Sequence, residues 1–528
     1  MAAIQPDSTI LIYHGMPLDN NYEHTLYFAA KGLQYSWFSS ASNPHLKHTF
    51  TKNTYQRVNS GVFEAHIKAD ELYDCNYMAF KNTAYGGKWF FAFINSVEFI
   101  NNENSYVYYE IDVIQTYLYD GAILEQCMIE REHTPTDFIG EHILPEPVEC
   151  VDYEFGAYHS LTSELHNLDL AYIAVMVCNS TTTQSPIPTG IYDNIFAGCD
   201  VRIFNTSDQS EIGTFLNNYI TSPQSIVAMY MIPRVCIKPT VVVPNAGLTL
   251  SSGDVGASIT VSLPAPSLND TFGGTWLPKN MKLYTYPYNY VQVNTPDGNC
   301  LPLRYEFFDQ NTPMFALDSC IMPPVQVKLT PMYYRNSYDG VTNKMMAESL
   351  TLTGYPMCGW SYDSFTAWQA MNTVPMLVNA GMSVFSNAAS GSISGIAGTV
   401  GNVFSQSYHA RLAEGVPQGN FASGNVDFAK QMMQFYGGRK HITEEVAKSI
   451  DGFFTMFGYK VNRLGTPILN NRPHYTYIKT IGCGVKGLCP ADAAKQIASI
   501  FDNGITFWIN ENEVGNYSVD NSPVTEGD

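Results

Sequence analysis

Ser105-Tyr-Val-Tyr-Tyr-Glu-Ile-Asp-Val-Ile-Gln-Thr116 alternates with a period of two: Val107, Tyr109, Ile111 and Val113 fall on one side, Tyr108, Glu110 and Asp112 on the other. Such alternation belongs to a strand with one face in a core and one face outside it. Asn101-Asn-Glu-Asn104 just before it supplies a turn, so residues 88–100 and 105–116 are expected to pair as one long antiparallel hairpin. Val62–Lys68 repeats the pattern, with Phe63, Ala65 and Ile67 opposed to Glu64, His66 and Lys68. Long two-faced strands suit sheet-on-sheet packing or a barrel wall. Aromatic residues make up 13% of the chain, 35 of them Tyr, a residue that favours half-buried pleated surfaces. The expected class is mainly β.

Away from the hairpin the pattern changes. Leu170–Val177 is a nearly unbroken apolar strand, and Asp208, with Glu211 three residues on, is placed to cap a helix. Ile212, Phe215, Leu216, Tyr219 and Ile220 follow at helical spacing. Residues 156–265 thus form an α+β insertion, closed by the Ser/Gly-rich stretch around Ser251–Gly256. Strands are expected again from Met281 to about Thr353, with Tyr284-Thr-Tyr-Pro-Tyr-Asn-Tyr290 the most aromatic of them. Thr443 caps a helix that carries Glu444 and Glu445 in its first turn, where the helix dipole favours acids. Its buried stripe is expected at Ile442, Val446, Ile450, Phe453 and Phe457, with Gly458 as the stop. A last helix over 491–501 ends at Asn503-Gly504 and leads into a strand over 505–509.

At 528 residues the chain can bury several cores. A net charge of −20 argues against a protein that grips nucleic acid, where affinity comes from Lys and Arg on phosphates. It suits a surface that DNA slides past without sticking. Eleven cysteines, scattered from Cys75 to Cys489 without a CxxC pair, read as reduced core residues of a cytosol-assembled protein. Met1-Ala-Ala-Ile-Gln-Pro lacks the basic and apolar regions of a signal peptide, and no run of 18 apolar residues forms a conventional membrane anchor.

Ser364–Ala410 contains no Asp, Glu, Lys or Arg, although these make up 14% of the chain. A surface helix would need a polar face there, and a solvent linker would gain nothing from Ile, Val and Phe. The segment sets Met376, Leu377, Val384, Phe385, Ile393, Ile396, Val400 and Phe404 among Gly, Ala and Ser. Gly391, Gly395, Gly398 and Gly401 give it flexibility, and the Gly391-xxx-Gly395 spacing permits close helix contact in lipid. Ser, Asn and Thr dilute its apolarity, so one copy would insert only marginally. Many copies held together could insert where one could not.

Sites of chemistry are few. Gly482-Cys-Gly-Val-Lys-Gly487 matches GxGxxG, with a strand before it, a helix after it and Asp502 about twenty residues on. A dinucleotide site needs a parallel βαβ unit, and too little chain follows, so a glycine-rich turn is expected. His133 and His142 with Glu130 and Glu132 could be drawn as a metal site, but their spacing matches no helix-face ligand pair. No catalytic residue, cofactor or metal is expected, and the chain reads as a non-enzyme.

Several runs carry a resemblance. They are Lys88-Trp-Phe-Phe-Ala-Phe93, Tyr109-Glu-Ile-Asp-Val-Ile-Gln-Thr116, Arg131-Glu-His133, Tyr286-Pro-Tyr288, Phe457-Gly-Tyr-Lys-Val-Asn-Arg463, Ile500-Phe-Asp-Asn-Gly-Ile-Thr506 and Gly515-Asn-Tyr-Ser-Val519. In these the chain resembles the tail knob, or distal tail tube, proteins of small short-tailed bacteriophages with protein-primed genomes, those of Bacillus above all. The resemblance implies a homohexameric β-tube with outer knob domains, at the distal end of the virion tail and assembled in the host cytoplasm. It implies 1–155, 266–360 and 426–528 as tube elements, 156–265 as an outer insertion and 361–425 as a membrane-active loop. It further implies that the loop plugs the lumen and forms a pore in the host cytoplasmic membrane during genome ejection. The implied partners are other copies of the chain, the lower collar or upper tube protein, a wall-degrading tip protein, double-stranded DNA passing without specific binding, and that membrane. Tyr108, Glu110 and Asp112 are candidates for a polar lumen or inter-subunit face. The alternative is a tail adhesin that binds the host wall through 156–265.

Overall fold

The computed structural model describes residues 8–53, 61–83, 86–162, 165, 171–177, 191–192, 195–196, 200–205, 209–217, 226–233, 236, 260–263, 270–320, 325–335, 348–353, 355, 357–359 and 432–523. The chain divides into two compact units, one of residues 1–150, 278–283 and 444–528, the other of 151–277 and 284–443. The fold is mostly β.

Among the described residues the first unit holds nine strands in its N-terminal part: β1 Ser8–His14, β2 Thr25–Leu26, β3 Leu46–Asn53, β4 Val62–Ala65, β5 Cys75–Asn82, β6 Trp89–Phe99, β7 Ser105–Ile111, β8 Ala122–Leu124 and β9 Cys127–Glu132. Six of them form one antiparallel sheet in the order β3-β1-β5-β6-β7-β4. Alternation along β1 explains its two cores. Leu11 and Tyr13 join Tyr77, Phe91 and Phe93 on one face, whereas Ile10 and Ile12 join Phe63, Met78, Ala92 and Val107 on the other. The expected hairpin is present, with Phe99 facing Ser105 and Val97 facing Val107. The Asn101 side chain closes its turn by accepting from the Glu103 and Asn104 amides at 2.8 and 2.9 Å.

A second sheet joins both ends of the chain in the order β2, Ile505–Trp508, Tyr475–Ile481, β9, Tyr459–Gly465. Helix Ala491–Asn503 covers one face, burying Ala493, Ile497 and Phe501 against Ile478, Ile505 and Phe507. Helix Glu444–Phe457 forms as its acidic first turn predicts, but its buried residues are Ala447, Ile450, Asp451 and Phe454. Val446, Phe453 and Phe457 are only half-buried, which corrects the expected stripe. Asp451 explains the rotation: its carboxylate accepts from the Lys279 and Asn280 amides at 3.3 and 3.0 Å, which draws that side of the helix inward. Gly458 ends the helix at φ +63°, and a Cβ there would meet the Glu132 carbonyl oxygen at 2.2 Å. Only glycine fits.

Among its described residues the second unit contains three four-stranded sheets around one core, and a two-stranded ribbon of Ile191–Tyr192 with Ile195–Phe196. The strand expected at Leu170–Val177 runs over Ala171–Val177, pairs with Asp200–Asn205 and Ile226–Pro233, and buries Ile173, Ala174 and Val175 completely. Helix Gln209–Asn217 buries Ile212 and Phe215 of the expected stripe; Tyr219 and Ile220 lie outside the described residues. The aromatic run at 284–290 is not a strand throughout. Met281–Tyr284 is a 3-10 turn, Tyr286-Pro287 is cis, and the strand begins at Asn289. Tyr284 and Tyr288 are core side chains.

Candidate assembly surface

Three strands of the second sheet of the first unit set an apolar row in register. Met128 of β9 lies opposite Leu464 on one neighbouring strand and opposite Ile481 on the other. Directly opposed residues of antiparallel strands point to the same face. The flanking Cys127 points the other way, into the core under helix Ala491–Asn503, and the flanking Ile129 is fully buried. Leu464 is 70% exposed and Ile481 56%, so among the described residues nothing covers this row. Scattered exposed apolar residues are ordinary, but a row aligned across three strands is a contiguous patch. Leu488, 83% exposed, and Ile123 extend the apolar exposure along the ribbon of β8 with Val485–Gly487. The row carries no local signature, because its members come together only through pairing of distant segments.

The tip of the β6–β7 hairpin is the second exposed feature. Phe99 and Ile100 lie open to solvent beside the Asn101 turn. Tyr108 and Glu110 are also exposed, and Tyr108 donates to Glu98 at 2.6 Å across the two strands. Asp112 does not share that face. The strand stops at Ile111, a short π-helical turn over Ile114–Leu118 follows, and Asp112 is 1% exposed. It accepts from the Tyr77 hydroxyl at 2.9 Å and from the Gln115 amide at 3.1 Å, so it serves as an internal cap. Its place in a polar face is corrected to a place in the core.

Burial pushes the Asp112 carboxyl up to about 6, with the charge of Asp19 adding to the rise and the Gln115 and Tyr77 hydrogen bonds opposing it. The folded state therefore holds this proton more tightly than the unfolded chain does. The stability tied to it is complete below about pH 4 and is lost as pH rises through about 6. A shift from 3.8 to about 6 corresponds to about 3 kcal/mol above that range. Asp112→Asn keeps an oxygen for the Gln115 amide and removes the charge, at some loss in the Tyr77 bond. We expect it to be more stable than the parent by about 1–2 kcal/mol at pH 8. The gain should shrink by pH 4.5, read from urea unfolding at both values.

The chemistry-bearing candidates resolve into structure. Asp502 accepts from the Gly482 and Cys483 amides, both at 3.1 Å, and from the Thr480 hydroxyl at 2.7 Å. The chain's own carboxylate thus fills the place a ligand would take, and the preceding strand runs antiparallel to its neighbours. The motif is a turn. His133 uses both ring nitrogens: Nδ1 accepts from the Tyr477 amide at 2.8 Å and Nε2–H donates to the Thr455 carbonyl at 3.1 Å. Burial and the nearby Arg472 push it down to about 3, so it stays neutral. Glu132 pairs with Arg463, Glu130 with Lys479, and His142 hydrogen-bonds the Thr134 hydroxyl and Thr136 carbonyl. Among the described residues no group of His, Cys, Asp and Glu could hold a metal ion, and no helix is long and apolar enough to cross a membrane.

Met376, Leu377, Val384, Phe385, Gly391, Ile393, Gly395, Ile396, Gly398, Val400, Gly401 and Phe404 all lie outside the described residues, as does most of the insertion over 178–225 and 237–259.

Residues 265–522 match the family described as the C-terminal domain of tail knob protein gp9 of Bacillus phage phi29. Residues 6–122 match the caudoviral major tail protein N-terminus, the region of the six-stranded sheet. The chain is 25% identical to the tail knob protein gp9 of Bacillus phage PZA, over 97% of its own length and 98% of that protein. It is 24% identical to the phi29 protein of the same name with the same coverage. In fold it is similar to the tail knob protein gp12 of bacteriophage C1, at a TM-score of 0.62 and 15% identity, over 97% of this chain and 99% of that one. Similarity along nearly the whole sequence, together with the shared fold, sets the chain beside the phage tail knob proteins and supports a structural role in a phage tail.

Proposed function

We propose that the protein is a homohexameric distal tail tube that conducts the genome, and that its uncharged segment acts on the host cytoplasmic membrane during ejection. The observation that carries the assembly is the Leu464–Met128–Ile481 row, an apolar stripe on a sheet face that the described residues leave open. A second copy of the chain is the partner that a closed ring supplies. Joining sheets side by side also removes exposed edges. The acidic chain, at −20, favours a lumen that repels phosphate and lets duplex DNA pass without specific binding. Assembly takes place in the host cytoplasm, and the tube meets the collar or upper tube above and a wall-degrading tip protein below. Six copies of Ser364–Ala410 stored in the lumen would be kept from water before infection, since that much apolar surface on a free particle favours aggregation.

Leu464→Glu combined with Ile481→Glu should leave folding intact, because both side chains are exposed, yet prevent assembly. Light scattering after size exclusion is the check: the parent is expected at the hexamer mass and the variant at one chain. A variant that elutes as a hexamer with the parent's stability would move the interface elsewhere.

A further inference from the structure

The Gly482–Gly487 turn brings two distant cysteines together. Ile481 faces Met128, and the ladder continues to the Glu125 amide, which donates to the Gly484 carbonyl at 2.7 Å. Cys127 and Cys483 therefore sit within one step of each other on adjoining backbone. In regular extended chain they would point to opposite faces. Gly482, at φ +68°, breaks the alternation, and both side chains enter the same core with Ile497, Phe501 and Phe507. They are 5% and 8% exposed, and their thiols are close enough that each affects the ionisation of the other. Asp502 holds the Cys483 amide and so fixes the backbone of the turn, while the Cys483 thiol lies 3.8 Å from the Gly484 carbonyl oxygen.

We propose that Cys127 and Cys483 form a latent redox staple, reduced during assembly and closed to a disulfide by a small disulfide oxidant once the protein leaves a reducing compartment. Neighbouring positions on paired strands match the Cα separation a disulfide requires. In the first step one cysteine loses its proton and attacks a sulfur of the oxidant RSSR, forming a mixed disulfide and releasing RS⁻. The second cysteine then loses its proton and attacks the protein-bound sulfur, releasing the other RS⁻. Two protein thiols and RSSR become one protein disulfide and two RSH. Burial pushes the Cys483 thiol up to about 12, so thiolate is scarce and closure is slow at neutral pH. Once closed, the bond ties the start of β9 to the turn beside Ile481, at the margin of the apolar row. It needs no assembly partner, so it stands or falls apart from the hexamer.

The test uses the full chain incubated with oxidised glutathione at pH 7 and pH 9, quenched in acid, unfolded, alkylated and digested. We expect one linked peptide pair, 127 to 483, formed at least tenfold faster at pH 9. The melting temperature should rise by about 5–10 °C, reversed by dithiothreitol. Cys483→Ala should abolish the link and the rise while melting near the reduced parent. Peptide maps of the parent itself decide the matter if a variant folds poorly. Both thiols recovered alkylated, each recovered as a separate glutathione adduct, or either joined to another cysteine such as Cys489 would each overturn the proposal.

Discussion

A protein lacking residues 375–405 is expected to assemble as the parent does and to release no more dye from anionic liposomes than buffer alone. The full chain should empty most of them at equal concentration. The deleted segment carries Val384, Phe385, Ile393, Ile396, Val400 and Phe404 and no charged residue. One acidic or basic residue at the centre of a membrane helix costs about 2.5–3.5 kcal/mol, so a charge-free composition is what keeps insertion within reach. Hydroxyl and amide side chains still make a single copy marginal, and linkage in a ring supplies the rest by raising local concentration. Ile396→Asp sharpens the comparison: it leaves length and glycine content unchanged and should lower leakage at least tenfold. Leakage unchanged by both alterations would remove the membrane role and leave the tail role standing.

The largest expected stability effect belongs to Glu146. Its buried carboxylate pairs with Arg131 and with the Lys282 ammonium at 2.5 Å, and accepts from the Lys460 amide at 2.9 Å. The cations are nearly as buried as the acid, and each has a second partner: Arg131 donates to the Gly458 carbonyl and Lys282 to the Leu144 carbonyl. Burial lowers the Lys282 pKa, and the charge of Glu146, with a smaller contribution from Asp137, opposes the drop. Glu146→Ala removes the carboxylate that pairs with both buried cations, at a cost of about 3–5 kcal/mol. Thermal and urea unfolding should both register it. Glu444→Ala is the control, since its pair with Lys448 at 2.6 Å is an exposed i,i+4 contact worth about 0.3–0.5 kcal/mol. Equal losses in the two variants would mean that the hub carries no special weight.

Local pattern made the hairpin legible. Period-two alternation and an Asn-rich turn act between near neighbours, and β6 and β7 pair as that pattern requires. The same pattern misled at Asp112, where alternation of residue types continues past Ile111 but the strand does not. A capping carboxylate and an outward-facing one look alike in sequence, and only the Tyr77 and Gln115 contacts separate them. Helix Glu444–Phe457 shows the same limit. Its ends follow from Thr443, Glu444 and Gly458, whereas its buried side turns on Asp451 meeting Lys279 and Asn280, far away in the chain. The thiol pair was equally hidden, since eleven scattered cysteines carry no spacing that marks Cys127 and Cys483 as neighbours. The uncharged segment is the reverse case. Composition singles it out, and the described residues add nothing to it.

Electron-microscope images of the purified full chain address the proposed tube most directly. Class averages are expected to show a six-fold ring with density across its central channel, and the 375–405 deletion should show the same ring with the channel open. Averages of single chains, or of a ring with another symmetry, would contradict it.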